Sequence, residues 1–596
     1  MKQWRFNGEQ VIVKDGNGWH EAKAEEILSA AFGPESEAIR EGTGLRFGRM
    51  ALTASLVIHG ALPDEIWLNL EAARGVKSLP LPATNVQGVV QDGRWHPLNM
   101  DSVNSCRKFL AAHDLNDARS ISLGQYLALI ADPNGHGLLF DQTVKDDGAE
   151  LPIAERDFAS LGLAIGLFPY QQVGAEYLVA MADRGVGVLL ADQMGLGKTA
   201  QAIAVLLDQV HLGLSLVVCP ASLLRNWARE FDQFAPGLRA LVHSGRERTG
   251  LATGFAGYDV IISSYETVAG DFSFFRDILW NIVVLDEAQY VRNPDATRSQ
   301  AVKALKRRVS IALTGTPVEN KLLDLWSIAE FVVPALLGHR DSFEAAYPDE
   351  MERAESLGRV IAPVTLRRLV AEVAQDLPDL IQIETAFQLS DEELDRYTEL
   401  DSSSATPLET ITRRRVLCAH ADGYGWGAGG QYSPKVEHAM RIMAEAFDEG
   451  QKVLVFASFQ QSLDNLLNLI GRKFPMACRG EIDGRVEVSD RQVIIDLFTE
   501  FDGPGVLLMN PRAAGVGLNI TAANHVIHFN PEWNPALTSQ ASARAYRRRQ
   551  TLPVTVHHLF YEQTVEEDAL SRSDWKRALA RHVDVGTTGD NGGDFR

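Results

Sequence analysis

The sequence predicts an α/β protein built from two doubly wound parallel-sheet lobes, with helical insertions between them and a mixed α/β region in front. Three observations carry this. From 159 to 336 the chain alternates short runs that are apolar at nearly every position with helical stretches, as strands covered on both faces require. The alternation stops, then resumes after 431. A glycine-rich loop also joins one apolar strand to one apolar helix, at the carboxyl end of a predicted strand, where such sheets bind ligands.

The elements are justified in order. In 1–158, a strand at 10–14 runs into the turn Asp15-Gly16-Asn17-Gly18. Further strands are expected at 51–59 and 137–140, and helices at 109–113 and 124–130. No motif marks this accessory domain with a role. Lobe 1, at 159–336, takes strands at 187–190, 215–219, 259–263, 281–285 and 310–313. Segment 337–430 is charged, helix-rich and free of buried strands, and ends in the glycine-rich run 423–430. Lobe 2, at 431–575, takes strands at 452–456, 505–509 and 524–529. The tail 576–596 turns glycine-rich beyond 584 and is expected to be partly disordered.

Composition narrows the class. At 596 residues, 45% hydrophobic and 23% charged, the chain reads as a globular protein of several domains. No apolar run is long enough for a membrane span, and the start lacks the apolar stretch of a secretory signal. Cys106, Cys219, Cys418 and Cys478 stand alone, which points to a cytoplasmic setting without a zinc site or disulfide framework. A net charge of −21 argues against wholesale electrostatic binding to nucleic acid. It leaves room for a basic track in a cleft, because screening confines charge effects to about 8–10 Å. Arginine clusters at 307–308, 367–368, 413–415 and 547–549 are available for one.

Four motifs carry chemistry. Asp192-Gln193-Met194-Gly195-Leu196-Gly197-Lys198-Thr199 follows the strand at 187–190 and opens an apolar helix. Gly195 and Gly197 let the backbone turn and present N–H groups to a triphosphate such as ATP. Lys198 reaches its β and γ phosphates, Thr199 can ligate Mg²⁺, and the helix dipole favours the anion. Asp286-Glu287-Ala288-Gln289 ends a second buried strand, with Asp286 suited to Mg²⁺ and Glu287 to polarising the attacking water. Thr314-Gly315-Thr316-Pro317 forms a turn that can sense the γ-phosphate. Arg544 and Arg547, three apart on one expected helix face, can act as fingers on that phosphate from the second lobe.

Together these segments resemble the Swi/Snf family of DNA-dependent ATPases within helicase superfamily two. Leu167-Phe168-Pro169-Tyr170-Gln171 looks like its adenine-reading Q motif, and 192–199 like motif I. The run 218–227, ending Arg225-Asn226-Trp227, and the run Ser263-Ser264-Tyr265-Glu266-Thr267 resemble its DNA-contacting motifs. Asp286 to Gln289 matches a DEAH-type box, and Leu322-Leu323-Asp324-Leu325-Trp326 is typical of the family. Leu366-Arg367-Arg368 with Asp376-Leu377-Pro378 looks like its helical extension. Val455 to Phe459 is similar to motif IV, 514–523 with Gly517 to motif V, and Phe529-Asn530-Pro531-Glu532-Trp533 to the segment before motif VI.

The resemblance spans about 160–575 and implies two RecA-like lobes with ATP and Mg²⁺ between them. It implies Gln171 and Gly517 at the nucleotide, and Trp227, Ser264, Ser458 and Thr521 as DNA contacts. The short helical extensions resemble a minimal bacterial or phage type. The chain departs from the family pattern at Gln193, where an acid is usual, and at Ala514, where glycine is usual. It departs again at Tyr546-Arg547-Arg548-Arg549-Gln550, which ends motif VI differently. The expected activity is an ATP-driven translocase on nucleic acid, duplex DNA foremost, that displaces bound protein. Two alternatives are an ATP-gated switch docking a protein partner through 1–158 (RNA polymerase or a defence-complex subunit) and a strand-separating helicase.

Overall fold

The computed structural model describes residues 2–16, 18–74, 77–81, 86–115, 120–143, 153–246, 248–374, 377–400, 406–419, 432–514, 520–547 and 550–588. Gly517, Arg548, Arg549, the run 423–430 and the end of the tail lie outside them.

Lobe 1 is a seven-stranded, all-parallel sheet in the order Ala240–His243, Val260–Ser264, Ser215–Cys219, Trp280–Asp286, Arg307–Leu313, Val188–Leu190, Thr365–Leu366. Lobe 2 is a six-stranded parallel sheet in the order Leu380–Phe387, Val554–Tyr561, His525–His528, Lys452–Phe456, Gly505–Met509, Cys478–Ile482. The central strands are buried at every residue, because helices cover both faces. Two RecA-like lobes are thus present, as the strand pattern predicts.

The inserted segment, expected to be helix-rich and free of buried strands, contributes one strand to each lobe's sheet. Thr365–Leu366 joins lobe 1 beside the strand that leads into the phosphate loop. Leu380–Phe387 becomes the edge strand of lobe 2 and is largely exposed. Its exposure explains why no buried-strand pattern marks it. The hinge between the lobes therefore lies between two strands, each committed to a different sheet.

The tail also differs. Val565–Thr588 is one helix, so order continues past 576 and past 584. It packs against the lobe 1 helix Met351–Ile361, and Leu579 and Val583 are buried within the core of lobe 1. The helix thus runs from lobe 2 onto lobe 1.

Among its described residues the accessory region holds three small sheets, one of them formed by Arg46–Phe47, Arg94–Pro97 and Gly88–Gln91. Strands Gln3–Phe6, Val11–Asp15 and Gly18–Glu21 form an antiparallel sheet packed with helices Ala24–Ala31 and Ser36–Thr43 around their own core. Strands Leu139–Asp141, Thr53–Ala61, Glu65–Arg74 and Lys77–Pro80 form a second sheet. With helices Met100–Ala112 and Leu123–Ala131, this sheet shares a continuous core with lobe 1 through Leu56, Ile58, Leu110 and Leu129. No described helix is long and apolar enough to cross a membrane.

Candidate nucleotide site between the lobes

Strand register brings the lobe 1 motifs together. Leu366, Leu190, Leu313 and Asp286 fall in one row across four adjacent strands. The loops that follow them therefore open at the same sheet edge. Gly195 (φ +90°) and Gly197 (φ +74°) take left-handed backbone geometry that a side chain would strain. At Gly197 a Cβ would also overlap the amide of Gln171. Gln171 is buried, accepts from the Phe168 amide at 3.0 Å and donates to the Leu196 carbonyl at 3.0 Å. It thereby joins the Q segment to the loop.

Lys198 heads the helix Lys198–Asp208, and its Nζ donates to the Asp192 carbonyl at 2.7 Å, folded back on its own loop. Desolvation holds the ammonium below the ordinary lysine value, opposed by Asp192, Glu287 and Asp286. Thr199 follows it, half-buried.

Asp286 is pushed up to about 7, by burial first and by the Glu287 charge second. Its Oδ2 accepts from Trp227 Nε1 at 2.8 Å and its Oδ1 from the Glu287 amide at 2.9 Å. Glu287 sits at φ +51°, a left-handed position uncommon for a side-chain-bearing residue. Its Oε2 accepts from Gln289 Nε2 at 2.7 Å, and Gln289 Oε1 accepts from Thr314 Oγ1 at 2.9 Å. Thr314 Oγ1 in turn accepts from the Thr316 amide at 3.0 Å. The acidic pair is thus wired to the threonine turn. The Thr316 hydroxyl is buried without a hydrogen-bond partner among the described residues.

The second lobe closes the site. A Cβ on Gly195 would stand 3.8 Å from the Tyr546 carbonyl oxygen and 3.9 Å from Arg547 Cα. The phosphate loop and the arginine segment are therefore apposed. Arg544 is buried, and desolvation, then the neighbouring Arg547 charge, holds it down to about 10 against the pull of Glu287. The expected shared helix face is corrected here. The helix Pro535–Ser542 stops before Arg544, and both arginines occupy the turn that follows it. That turn is anchored where the Ile520 amide donates to the Arg544 carbonyl at 3.1 Å.

Lobe contacts extend beyond the arginines. Asn534 Nδ2 donates to Glu319 at 3.3 Å, and Lys576 Nζ donates to Asn320 Oδ1 at 2.8 Å.

Two expected DNA contacts are placed elsewhere. Trp227 is 0% exposed, with its indole on Asp286, so its side chain touches the acidic pair and not a surface. Ser264 is 3% exposed and caps the helix Tyr265–Gly270 by accepting from the Thr267 amide. Ser458 is half-buried and donates to Glu532 Oε1 at 2.6 Å. Thr521 is half-buried, and its carbonyl accepts from Gln550. Arg367 and Arg368, which no motif assigns to the loop, donate respectively to the Ala191 carbonyl at 2.7 Å and to Asp192 Oδ1 at 2.9 Å. The available signal was a pair of arginines immediately after a short β-branched and apolar segment.

Two family models match the chain in succession. A model of the SNF2-related domain matches residues 170–423, and one of the helicase conserved C-terminal domain matches 434–549. An uncharacterized ATP-dependent helicase of Mycoplasma genitalium is 32% identical over 82% of this chain and 50% of its own. The putative ATP-dependent helicase/translocase YwqA of Bacillus subtilis is 33% identical over 67% of this chain and 47% of its own. The SWI2/SNF2 ATPase core of Sulfolobus solfataricus, solved in complex with double-stranded DNA, is 34% identical. That match covers 72% of this chain and 95% of that one, with a TM-score of 0.38. The chain spans about half the length of the curated relatives it matches. With an SNF2-related domain and a helicase C-terminal domain in order along one polypeptide, the chain belongs to the Swi/Snf family of ATPases.

Proposed function

We propose that this chain hydrolyses ATP between its lobes and uses the cycle to move along nucleic acid, duplex DNA foremost. The observation that carries the reading is the apposition of Arg547 to Gly195, with Arg544 held near Glu287. Cationic groups from one lobe then complete an anion site begun by the other.

The residues divide the work. Gly195, Gly197 and the start of the helix Lys198–Asp208 cradle phosphate oxygens through backbone N–H groups. Lys198 exchanges the Asp192 carbonyl for the β and γ phosphates. Gln171 sets the Q segment that receives the base. Asp286 is held by two neutral donors in a desolvated cleft, a setting that a dication relieves. Asp286 and Thr199 would hold Mg²⁺, which would offset the phosphate charge. Glu287 accepts the proton of the attacking water, and Gln289 fixes its carboxylate. Arg544 and Arg547 stabilise charge on the transferring phosphoryl group. Gln289, Thr314 and Thr316 carry the state of the γ-phosphate into lobe 1.

Nucleic acid is supported by the interlobe cleft, where Arg292, Arg298, Arg512 and Lys576 stand with Tyr290 and Trp533 beside Glu287 and Glu319, the latter paired with Arg292. Backbone phosphates suit such a cleft and need no base readout. The test is the ATPase rate with no nucleic acid, single-stranded DNA, duplex DNA and RNA side by side. Stimulation of several-fold, largest with duplex, is expected; equal rates in all four refute the nucleic-acid reading. Lys198→Ala and Glu287→Gln should both abolish turnover, the second while still binding ATP. Near-normal turnover in either moves the site elsewhere.

A further inference from the structure

The two arginines of the interlobe hinge are not accounted for by the chemistry above. The hinge runs alongside the phosphate loop as a continuation of the lobe 1 sheet. Leu366 pairs with Leu190, the Ala191 amide donates to the Leu366 carbonyl at 2.7 Å, and the Gln193 amide donates to the Arg368 carbonyl at 2.9 Å. Gln193 returns the bond: its Oε1 accepts from the Val370 amide at 2.8 Å. An acid at 193 would accept the same bond, but glutamine does so without adding a charge beside Asp192.

Arg368 turns its guanidinium back under the loop. Its Nε donates to Asp192 Oδ1 at 2.9 Å and its Nη2 donates to Asp192 Oδ2, a two-pronged pair with a carboxylate that is 0% exposed. The same Nη2 donates to Gln201 Oε1 at 2.7 Å, on the helix that starts at Lys198. Gln201 Nε2 completes the set by donating to Asp192 Oδ2 at 3.1 Å. The Nη1 donates to the Tyr170 carbonyl in the Q segment, and the guanidinium lies 5.4 Å from the Tyr170 ring centroid. One side chain thus ties together the residue that opens the phosphate loop, the helix behind it and the segment that carries Gln171.

Room for this is made on the facing helix. Gly174 lies within the helix Pro169–Asp183, where glycine costs about 1 kcal/mol relative to alanine. A Cβ there would overlap the Gln201 amide and come within 2.6 Å of Arg368 Nη2. The helix gives up stability at the one place where the guanidinium needs space.

We propose that Arg368 is a positioning residue for ATP, which holds the phosphate loop and the Q segment in register from within the hinge, so that lobe movement is transmitted to the nucleotide site. The proposal rests on the loop being the ATP site. Arg368 acts through Asp192, Gln201 and Tyr170. Lysine cannot replace it, because an ammonium cannot span a carboxylate fork, an amide and a carbonyl in one plane.

The test measures the Kd of a fluorescent N-methylanthraniloyl ATP without nucleic acid, and the KM and kcat for ATP with duplex DNA. It uses the full chain and the variants Arg368→Gln, Arg368→Lys and Gly174→Ala, with thermal melting as a check on folding. Expected is a rise of at least about tenfold in Kd and KM for Arg368→Gln and Gly174→Ala. Arg368→Lys should recover kcat more than KM, and the DNA half-saturation should stay within about twofold throughout. Unchanged Kd and KM in a folded Arg368→Gln overturns the proposal, as does a loss in melting temperature with no shift in KM. Should Arg368→Gln not fold, Gln193→Ala removes only the bond to Val370. A KM rise of about threefold then supports the clamp, and no rise overturns it. Lys198→Ala separates the two readings. If that variant binds the analogue as tightly as the parent, the nucleotide site itself is misplaced. If it loses binding while Arg368→Gln keeps it, only the hinge role fails.

Discussion

Replacing Trp227 with phenylalanine tests the geometry of the acidic pair most directly. The indole Nε1 sits 2.8 Å from Asp286 Oδ2, and the ring is 0% exposed. Phenylalanine keeps most of the packing, including the contact with Phe231, whose ring centroid is 5.9 Å away, and removes only the donor. A hydrogen bond to a charged group contributes about 1.5–3 kcal/mol net, equivalent to roughly a 10- to 100-fold change in an equilibrium constant. Losses of that size are also typical when the group orienting a metal-binding carboxylate is removed. The magnesium concentration for half-maximal ATPase activity should therefore rise by roughly that factor. The DNA concentration for half-maximal stimulation should not move. Magnesium titrations at saturating ATP and DNA, then DNA titrations at saturating magnesium, separate the two. A variant with a parental magnesium curve and weakened DNA stimulation would refute the argument and return Trp227 to the nucleic-acid surface. Melting temperature checks that the smaller ring has not collapsed the site.

Three further outcomes follow from the same structure. Arg544→Ala or Arg547→Ala should lower kcat by on the order of 10³–10⁵, with the Kd of the ATP analogue nearly unchanged; retained kcat in both would place the fingers elsewhere. Gly197→Ala should abolish binding of that analogue, since its φ of +74° and the Gln171 amide both oppose a Cβ, and parental binding would contradict the loop geometry. Lys435 is buried and its Nζ donates to Glu566 at 2.7 and 2.9 Å, so Lys435→Met should destabilise lobe 2 by about 3–5 kcal/mol, read as a lower urea midpoint. An unshifted midpoint in this variant would refute the pairing.

The sequence shows the two sheets and the triphosphate loop clearly, for a physical reason. Strands such as Ser215–Cys219, Lys452–Phe456 and Gly505–Met509 are buried on both faces, so every position is apolar or small except where a lysine stem is covered. Val554–Tyr561 is also buried, yet His557 and His558 interrupt its apolar run and hide it. Leu380–Phe387 is an exposed edge, and Thr365–Leu366 is two residues long; neither carries a pattern to read. The lobe 1 loops that open in one row were legible because loops at a sheet edge need particular residue types. The supporting residues were not. Trp227 falls within a run that resembles a DNA-contacting motif, and only packing reveals that its indole faces inward to Asp286. Arg368 follows the phosphate loop at a sequence distance of 176 residues from Asp192, and spacing alone says nothing about such a pair.

The path of the C-terminal helix has a mechanical consequence. Lobe 2 is tied to lobe 1 through the hinge after Leu366 at one end and through Leu579 and Val583 at the other, besides the Asn534–Glu319 and Lys576–Asn320 bonds across the gap. A lobe tethered both before its first strand and after its last is restrained to swivel about those anchors instead of detaching.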